Sequence, residues 1–343
     1  MIAPHTILVT IPANATTTPT PFYPAAPLTP TSTPFQPLAP TATPLPTNTP
    51  TTIPNQPQPD LTSSPPTWGN YPGPSAWSYL PIPPPTDPLI QPAGRVNILL
   101  LGSDQRPYEG GFRTDTILLV SLDPENGKAT LISFPRDLYV YIPGWTMRRI
   151  NEAFAFGGFN TTILTFRYSF GIDINHYILV NFTAFTQVIN SLGGIDVQVA
   201  QTLTDHRDGY GNYTVRAGLV HMDGATALWY VRARYTTSDF DRARRQQEVL
   251  QAIFKRFLSL GVVTKAPELF DIYRKNVTTD LTLSDITPLL PLAEQLSDLK
   301  GVKRYTIGPS QVSSWVHPIT GAQVLLPNRD AIRAILREAL KSH

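Results

Sequence analysis

The chain has 343 residues, 27 Lys and Arg against 25 Asp and Glu, a net charge of +2 and no cysteine. So mixed a charge argues against a nucleic-acid-binding surface, and the missing thiols exclude disulfides and thiolate metal sites. The six histidines never fall at zinc-ligand spacing, which argues against a zinc enzyme.

Residues 1–93 hold 26 of the 36 prolines, no Lys or Arg, and only Asp60 and Asp87 as charges. A segment with so little apolar periodicity reads as a disordered Thr/Pro-rich spacer. The opening MIAPHTILVTIPAN lacks a basic stretch, and nothing approaches the roughly 18 apolar residues of a membrane span. Thr/Pro stalks nevertheless belong outside the membrane. An anchor upstream of this sequence would reconcile the two.

Residues 94–343 form the second unit, with 27 bases, 23 acids and ample length for one core. Folded structure is expected to begin at Arg95, where RVNILLLG reads as a strand buried on both faces. The polar loop SDQRPYEGGFRTDT follows, carrying Asp104, Arg106, Arg113 and Asp115. TILLVSLD and KATLISF make an antiparallel hairpin, and Pro135 stops the second strand beside Arg136 and Asp137. RINEAFAFGGFNTTILTFRYSFG reads as two short helices broken at Gly157 and Gly158, and HYILVN as a strand. FTAFTQVINSL is a helix ended by Gly193 and Gly194, IDVQV a strand, and residues 201–222 a hairpin excursion without assigned role. Asp223 caps a short helix through GATALWYV, and YVRAR reads as extended or loop, which puts Arg232 and Arg234 on one side. After Gly261 come a helical segment, the strand VKRYTI, the hairpin WVHPITGAQVLL, and an amphipathic helix capped by Asn328. This alternation predicts a three-layer α/β/α domain with a central mixed sheet.

The helix after Ser238 carries most of the chemistry. Val249, Leu250, Ile253, Phe254 and Phe257 recur on one face, and projecting that face upstream brings up Asp239, Arg242 and Gln246, with Arg245 at its edge. Arg244 and Lys255 point the other way and read as solvated charges. Buried arginines need partners. Two readings stand: an ion-pair network with Asp223, Asp239 and Asp241, or an anion site where guanidinium forks meet phosphate oxygens.

Asp104 and Asp115 present two hard oxygen ligands that suit magnesium or manganese, with positions left for water and phosphate. The alternative is a pair of loop acids balancing Arg106 and Arg113. Phe154, Phe156, Phe159, Phe166, Tyr168, Phe170, Phe182 and Phe185 make the middle of the chain aromatic, either as core or as the wall of a channel for a long apolar ligand.

GSDQR, FRTDT, SFPRDLYV, RINEAFAFGG, NFTAFTQVINSLGGIDV, YVRAR and DFDRARRQQ, in this order from about Arg95 to Leu258, closely resemble the LytR-CpsA-Psr family of cell-wall ligases. The resemblance implies an α/β/α fold that holds a polyprenyl-pyrophosphate lipid and transfers its glycopolymer to peptidoglycan or another wall acceptor through a phosphodiester. It implies that Asp104 and Asp115 hold the metal. Arg113, Arg136, Arg149, Arg232, Arg234, Arg242, Arg245 and Gln246 would meet the pyrophosphate, supported by Arg106, Asp137 and Asp239. Arg149 stands where many members have the Lys of a KIN motif. It also implies an extracytoplasmic, membrane-associated protein whose partners are the lipid-linked glycan, the wall acceptor and the membrane surface, with no nucleic acid. A pyrophosphatase, a non-catalytic lipid-binding module and a transcriptional attenuator are the competing readings.

Overall fold

The apolar run Val96–Ser103 is strand β1 and lies beside β2, Thr114–Asp123, in antiparallel register. The computed structural model describes residues 69–104, 113–261, 270, 274 and 277–341. Strands β3 (Lys128–Ser133), β4 (Tyr139–Tyr141), β5 (Met147–Arg149), β6 (His176–Asn181), β7 (Ile195–Val199), β8 (Leu203–Arg207), β9 (Gly211–Val215) and β10 (Gly218–Met222) follow, then β11 (Thr278–Thr279), β12 (Val302–Thr306), β13 (Val312–Val316) and β14 (Gln323–Pro327). Six of them form the central sheet in the order β11-β6-β1-β2-β3-β12. Strand β1 is parallel to β6 and antiparallel to β2, and β12 is parallel to β3, so the sheet is mixed as the alternation of elements predicts.

Strand alternation assigns the two faces. Leu99, Leu101, Ile117, Leu119, Tyr177 and Leu179 point into the main core, where helix α1 (Ala153–Phe170) brings Phe166 and Phe170 and the C-terminal helix Arg329–Ala339 brings Ile332 and Leu336. The intervening Leu100, Leu118, Ile178 and Val180 point to the other face, into a cavity. Helices α2 (Phe182–Ser191), α3 (Gly224–Arg232) and α4 (Asp239–Ser259) cover that side with β7 and β10. The α1 break falls at Gly157 and Gly158; Gly158, at φ 62°, takes a conformation that strains any other residue. Asn181, Asp223, Ser238 and Asn328 each cap a following helix through their side chains.

Two expectations need correction. The folded unit starts well before Arg95. Tyr71 packs edge-on against Tyr168 at 5.1 Å, Leu80 and Ile82 pack against a cluster containing Tyr139 and Tyr141, and Leu89 enters the main core. The Leu89 N–H donates to Gly171 O at 2.7 Å, and the Tyr141 and Tyr168 hydroxyls donate to Pro72 O and Pro83 O at 2.7 Å each. Proline restricts the unfolded chain, so ordering such a segment costs little, and its carbonyls accept the hydroxyls that the tyrosines must satisfy. The remaining spacer, residues 1–68, lies outside the described residues. Second, YVRA is not extended: helix α3 runs through Arg232, and only then does the chain turn extended at Ala233.

Candidate active site

Asp104 follows directly on β1, and Asp115 lies in β2 across from it. The register jumps between Gly102, opposite Thr116, and Ser103, opposite Thr114, so Asp115 is the extra residue of a β-bulge. A bulge re-aims a side chain, and here both acids line the same cavity. The Arg113 N–H donates to Asp104 Oδ1 at 2.7 Å, while Asp115 Oδ2 pairs with Arg136 at 2.9 Å and its Oδ1 lies 3.5 Å from Asn151 Nδ2. Among the described residues no group of three or more His, Cys, Asp or Glu could hold a metal ion. Two carboxylates on one cavity wall still suit magnesium or manganese, which bind through one or two acids and fill the shell with water and phosphate oxygens.

Four arginines face this point from three elements. Arg136 follows β3, Arg232 and Arg234 flank the C-terminus of α3, and Arg242 comes from the first turns of α4. Arg242 is buried and pairs with Asp239 at 3.2 Å. Burial pulls its guanidinium below the ordinary value; Asp239 opposes this, and the neighbouring Arg136 and Arg234 add to it. For Arg136 burial acts in the same sense, but Asp115 and Asp137 outweigh it and hold the group above its ordinary value. The Arg232 guanidinium lies 4.2 Å from the Phe182 ring centroid, and among the described residues neither Arg232 nor Arg234 has an acid within salt-bridge distance. Asp223 and Asp241 are committed to capping α3 and α4. Of the three acids in the ion-pair reading only Asp239 pairs with one of these arginines, Arg242, while Arg136 is paired by Asp115 and Asp137 instead.

Gln246 is one turn beyond Arg242, and its Nε2 donates to Thr116 Oγ1 at 2.9 Å. Gly102 makes room for this contact, since a Cβ there would stand 2.9 Å from Thr116 Cβ. Sequence reasoning missed Thr116 and Asn151. Neither stands out by residue type, and their contacts with Gln246 and Asp115 are tertiary.

Several residues expected at the site do other work. Arg245 is 1% exposed, and its guanidinium donates to Tyr230 O at 2.8 Å, to Thr237 Oγ1 at 3.1 Å and to Ala233 O. It clamps the C-terminus of α3, and so sets where Arg232 and Arg234 stand, without facing the cavity. Arg149 pairs with Asp137 at 3.3 Å and donates to Gln323 O at 2.7 Å, which braces the β13–β14 hairpin. The Arg113 side chain is exposed and lines neither cavity described below; its contribution is its backbone. Arg106 lies outside the described residues. Arg244 is not a free surface charge: it pairs with Glu248, which is buried and also accepts the Tyr230 hydroxyl at 2.7 Å. Burial, then that hydrogen bond, push the Tyr230 hydroxyl far above its ordinary value.

Two cavities meet at the charged wall formed by Asp115, Arg136, Arg242 and Gln246. One, of about 770 Å³, runs between the sheet and α4 and is walled by hydrocarbon, with Val249, Leu250, Ile253, Phe254 and Phe257 on the helix side. An apolar hollow of about 400 Å³ continues it past Phe254 and Phe257. The second cavity, of about 560 Å³, lies toward β13 and β14 and includes Trp315, Ser314 and Gln323. The stripe of α4 expected to face the core thus lines the apolar cavity. Of the eight aromatics considered for a channel, Phe182 and Phe185 line it, whereas Phe154, Phe166, Tyr168 and Phe170 are core. Phe156 stacks on Trp145 and Phe159 on Tyr177.

Arginines and paired acids at the mouth of a hydrocarbon-lined cavity define an α/β domain in which a cationic wall adjoins an apolar cavity. The chain belongs to the LytR_cpsA_psr family, which matches residues 83–340. It is 39% identical over 210 residues to the polyisoprenyl-teichoic acid–peptidoglycan teichoic acid transferase TagU of Oceanobacillus iheyensis, covering 59% of this chain and 64% of that one. It is 33% identical to TagT of Bacillus subtilis, the transferase of the same description, over 60% of this chain and 66% of that one. The chain thus spans less than two thirds of the length of these curated relatives. The crystal structure of B. subtilis TagV superposes with a TM-score of 0.59 at 28% identity, covering 72% of this chain and 97% of that one. TagT bound to LIIa-WTA gives 0.55 at 28% identity, over 72% and 91%. Among the described residues no helix is long and apolar enough to cross a membrane.

Proposed function

We propose that the protein is a phosphotransferase that moves a glycopolymer from a polyprenyl-pyrophosphate carrier to peptidoglycan or another wall acceptor, working outside the cell at the membrane surface. The observation that carries this reading is the closure of the hydrocarbon-walled cavity at one end by Arg136, Arg232, Arg234 and Arg242. A prenyl chain is stabilised by leaving water, and a diphosphate offers the crowded guanidinium groups the charge they lack. The relatives named as teichoic acid transferases support the same substrate class.

In this reading the acceptor hydroxyl attacks the phosphorus that carries the glycan. The bridging P–O bond breaks, the polyprenyl monophosphate leaves, and the hydroxyl proton is released. Such a reaction needs positioning and charge neutralisation more than a nucleophilic side chain. Arg242 and Arg136, held by Asp239 and by Asp115 with Asp137, would grip the bridging and terminal oxygens, with Arg232 and Arg234 completing the cradle. Asp104 and Asp115 would hold a magnesium ion, which when bound neutralises phosphate charge.

The test is reconstitution with a short-chain prenyl-pyrophosphate-linked oligosaccharide and purified peptidoglycan, scoring glycan attached to the wall polymer and prenyl phosphate released. Release that depends on acceptor supports transfer. Release at the same rate without acceptor would make the protein a pyrophosphatase, and tight lipid binding with no release a carrier module.

A further inference from the structure

The second cavity lies off the apolar stripe of α4, yet it shares the charged wall. It opens between β13, β14 and the N-terminal end of α4, and Trp315 is part of its lining. From Trp315 an aromatic surface runs outward. Its ring centroid is 5.4 Å from His317, 5.8 Å from Tyr139 and 6.0 Å from Tyr79, and Tyr79 is 6.0 Å from Trp77. Trp77 is 73% exposed and Tyr79 44%, unusual for such rings on a protein surface. Residues 71–91, which carry Trp77 and Tyr79, form a strap that is held in place: the Ser75 N–H donates to Trp145 O at 2.8 Å and Thr146 Oγ1 to Trp77 O at 3.2 Å.

We propose that this surface binds the acceptor as a glycan strand, its sugar rings stacked along Trp315, Tyr79 and Trp77 so that one hydroxyl is presented to the charged wall. The inference rests on the transferase reading above and adds where the acceptor sits. A pyranose ring has a face of C–H bonds and a rim of hydroxyls. It is held by a flat aromatic ring beside side-chain carboxylates, amides and hydroxyls, which here are Asp137, Asp239, Gln323 and Ser314. A polymer fixed in a wall can be reached only at an open face, and this one leads from solvent to Arg242 and Arg136. An anionic membrane would also attract exposed aromatics, but residues 71–91 and 312–327 contain no Lys or Arg to recruit it.

The probe is a β-1,4-linked N-acetylglucosamine hexamer, titrated against the full chain with tryptophan emission as readout, alongside a short-chain prenyl pyrophosphate titrated separately. Trp77→Ala with Tyr79→Ala, both at exposed positions, and Trp315→Leu, which keeps an apolar side chain, should each weaken the hexamer at least tenfold. Prenyl-pyrophosphate affinity should stay within twofold. In the transfer assay the same variants should raise the KM for the acceptor and not for the donor. Three results overturn the proposal: wild-type protein that binds prenyl pyrophosphate but no hexamer, variants that raise only the donor KM, or a tryptophan change that abolishes binding to anionic phospholipid vesicles while the hexamer still binds. Protein that binds neither probe overturns the transferase reading as well.

Discussion

The apolar cavity sets a length scale for its ligand. Taking one chain carbon to fill about 30 Å³, the liquid share of one water, the cavity of about 770 Å³ and its extension of about 400 Å³ together hold on the order of forty carbons, about eight isoprene units. Each unit taken fully out of water would contribute up to about 4 kcal/mol at 0.8 kcal/mol per carbon. The cavity is open and part of each unit stays wet, so roughly 1.5 to 2 kcal/mol per unit, ten- to thirtyfold in affinity, is the working figure. Affinity should therefore rise steeply from two to five units, more slowly to about eight, and then level, leaving the end of a longer chain outside. Leu250→Gln sharpens the test. Leu250 is half-buried and faces the open cavity, so the fold should tolerate the amide, but a prenyl chain would have to cover it unpaired at a cost of roughly 1 to 3 kcal/mol. Competition binding with prenyl pyrophosphates of graded length, on parent and variant, measures both. Affinity that does not change with chain length would refute the lipid assignment of this cavity.

Arg244→Ala should lower stability by roughly 3 kcal/mol, about 6 to 12 °C in Tm, because it strands the carboxylate of Glu248, whose side chain is 4% exposed. A melt within 2 °C of the parent would show that the pair carries no weight. Gly102→Ala should leave the domain folded but reduce transfer at least tenfold, since the added carbon, 2.9 Å from Thr116 Cβ and 3.0 Å from its Oγ1, displaces Thr116 from Gln246; an unchanged transfer rate in a variant that melts like the parent would refute this role for the contact. A chain begun at Gly94 should melt well below the parent, because it loses buried Leu89 and leaves the Tyr141 and Tyr168 hydroxyls unpaired, about 3 to 6 kcal/mol in all. Asp104→Asn should abolish any stabilisation by magnesium in the presence of prenyl pyrophosphate without lowering Tm in chelator; a drop in chelator would instead assign it a structural role.

How far the sequence could be read depended on whether local pattern decided the outcome. The apolar run in VNILLLGS, the cap residues Asp223 and Asn328, and the glycine break in α1 are local, and each element formed where the pattern put it. The phase of α4 groups Asp239, Arg242 and Gln246 with Leu250 and Phe257; the last four line the apolar cavity and Asp239 the second one, but an apolar stripe reads the same whether it meets core or a cavity. Arg245 shows the same limit. Its position at the edge of the stripe is visible in sequence, whereas the carbonyls of Tyr230 and Ala233 that take its hydrogen bonds come from a helix end whose approach is tertiary. The strap was hidden because a proline-rich chain has no periodicity to show which residues it buries.

The arginines divide by what already satisfies them. Arg245 donates to protein oxygens through all three nitrogens, and Arg244 neutralises a buried acid, so neither has anything to gain from a phosphate. Arg242 is buried with one partly exposed partner, Asp239, and is depressed further by Arg136 and Arg234 beside it. Such an arrangement is held against its own repulsion by the clamp of Arg245 on α3 and the capping of α4 by Ser238, both of which are independent of ligand. The cost is carried by the fold in advance, so the pyrophosphate of the proposed donor would find its partners in place and lose little in ordering them. By the same logic a neutral head group on the same prenyl chain should gain nothing from the arginines. On the proposed reading the specificity of this site is for charge at the wall and for length behind it, two independent requirements that together describe a lipid-linked diphosphate.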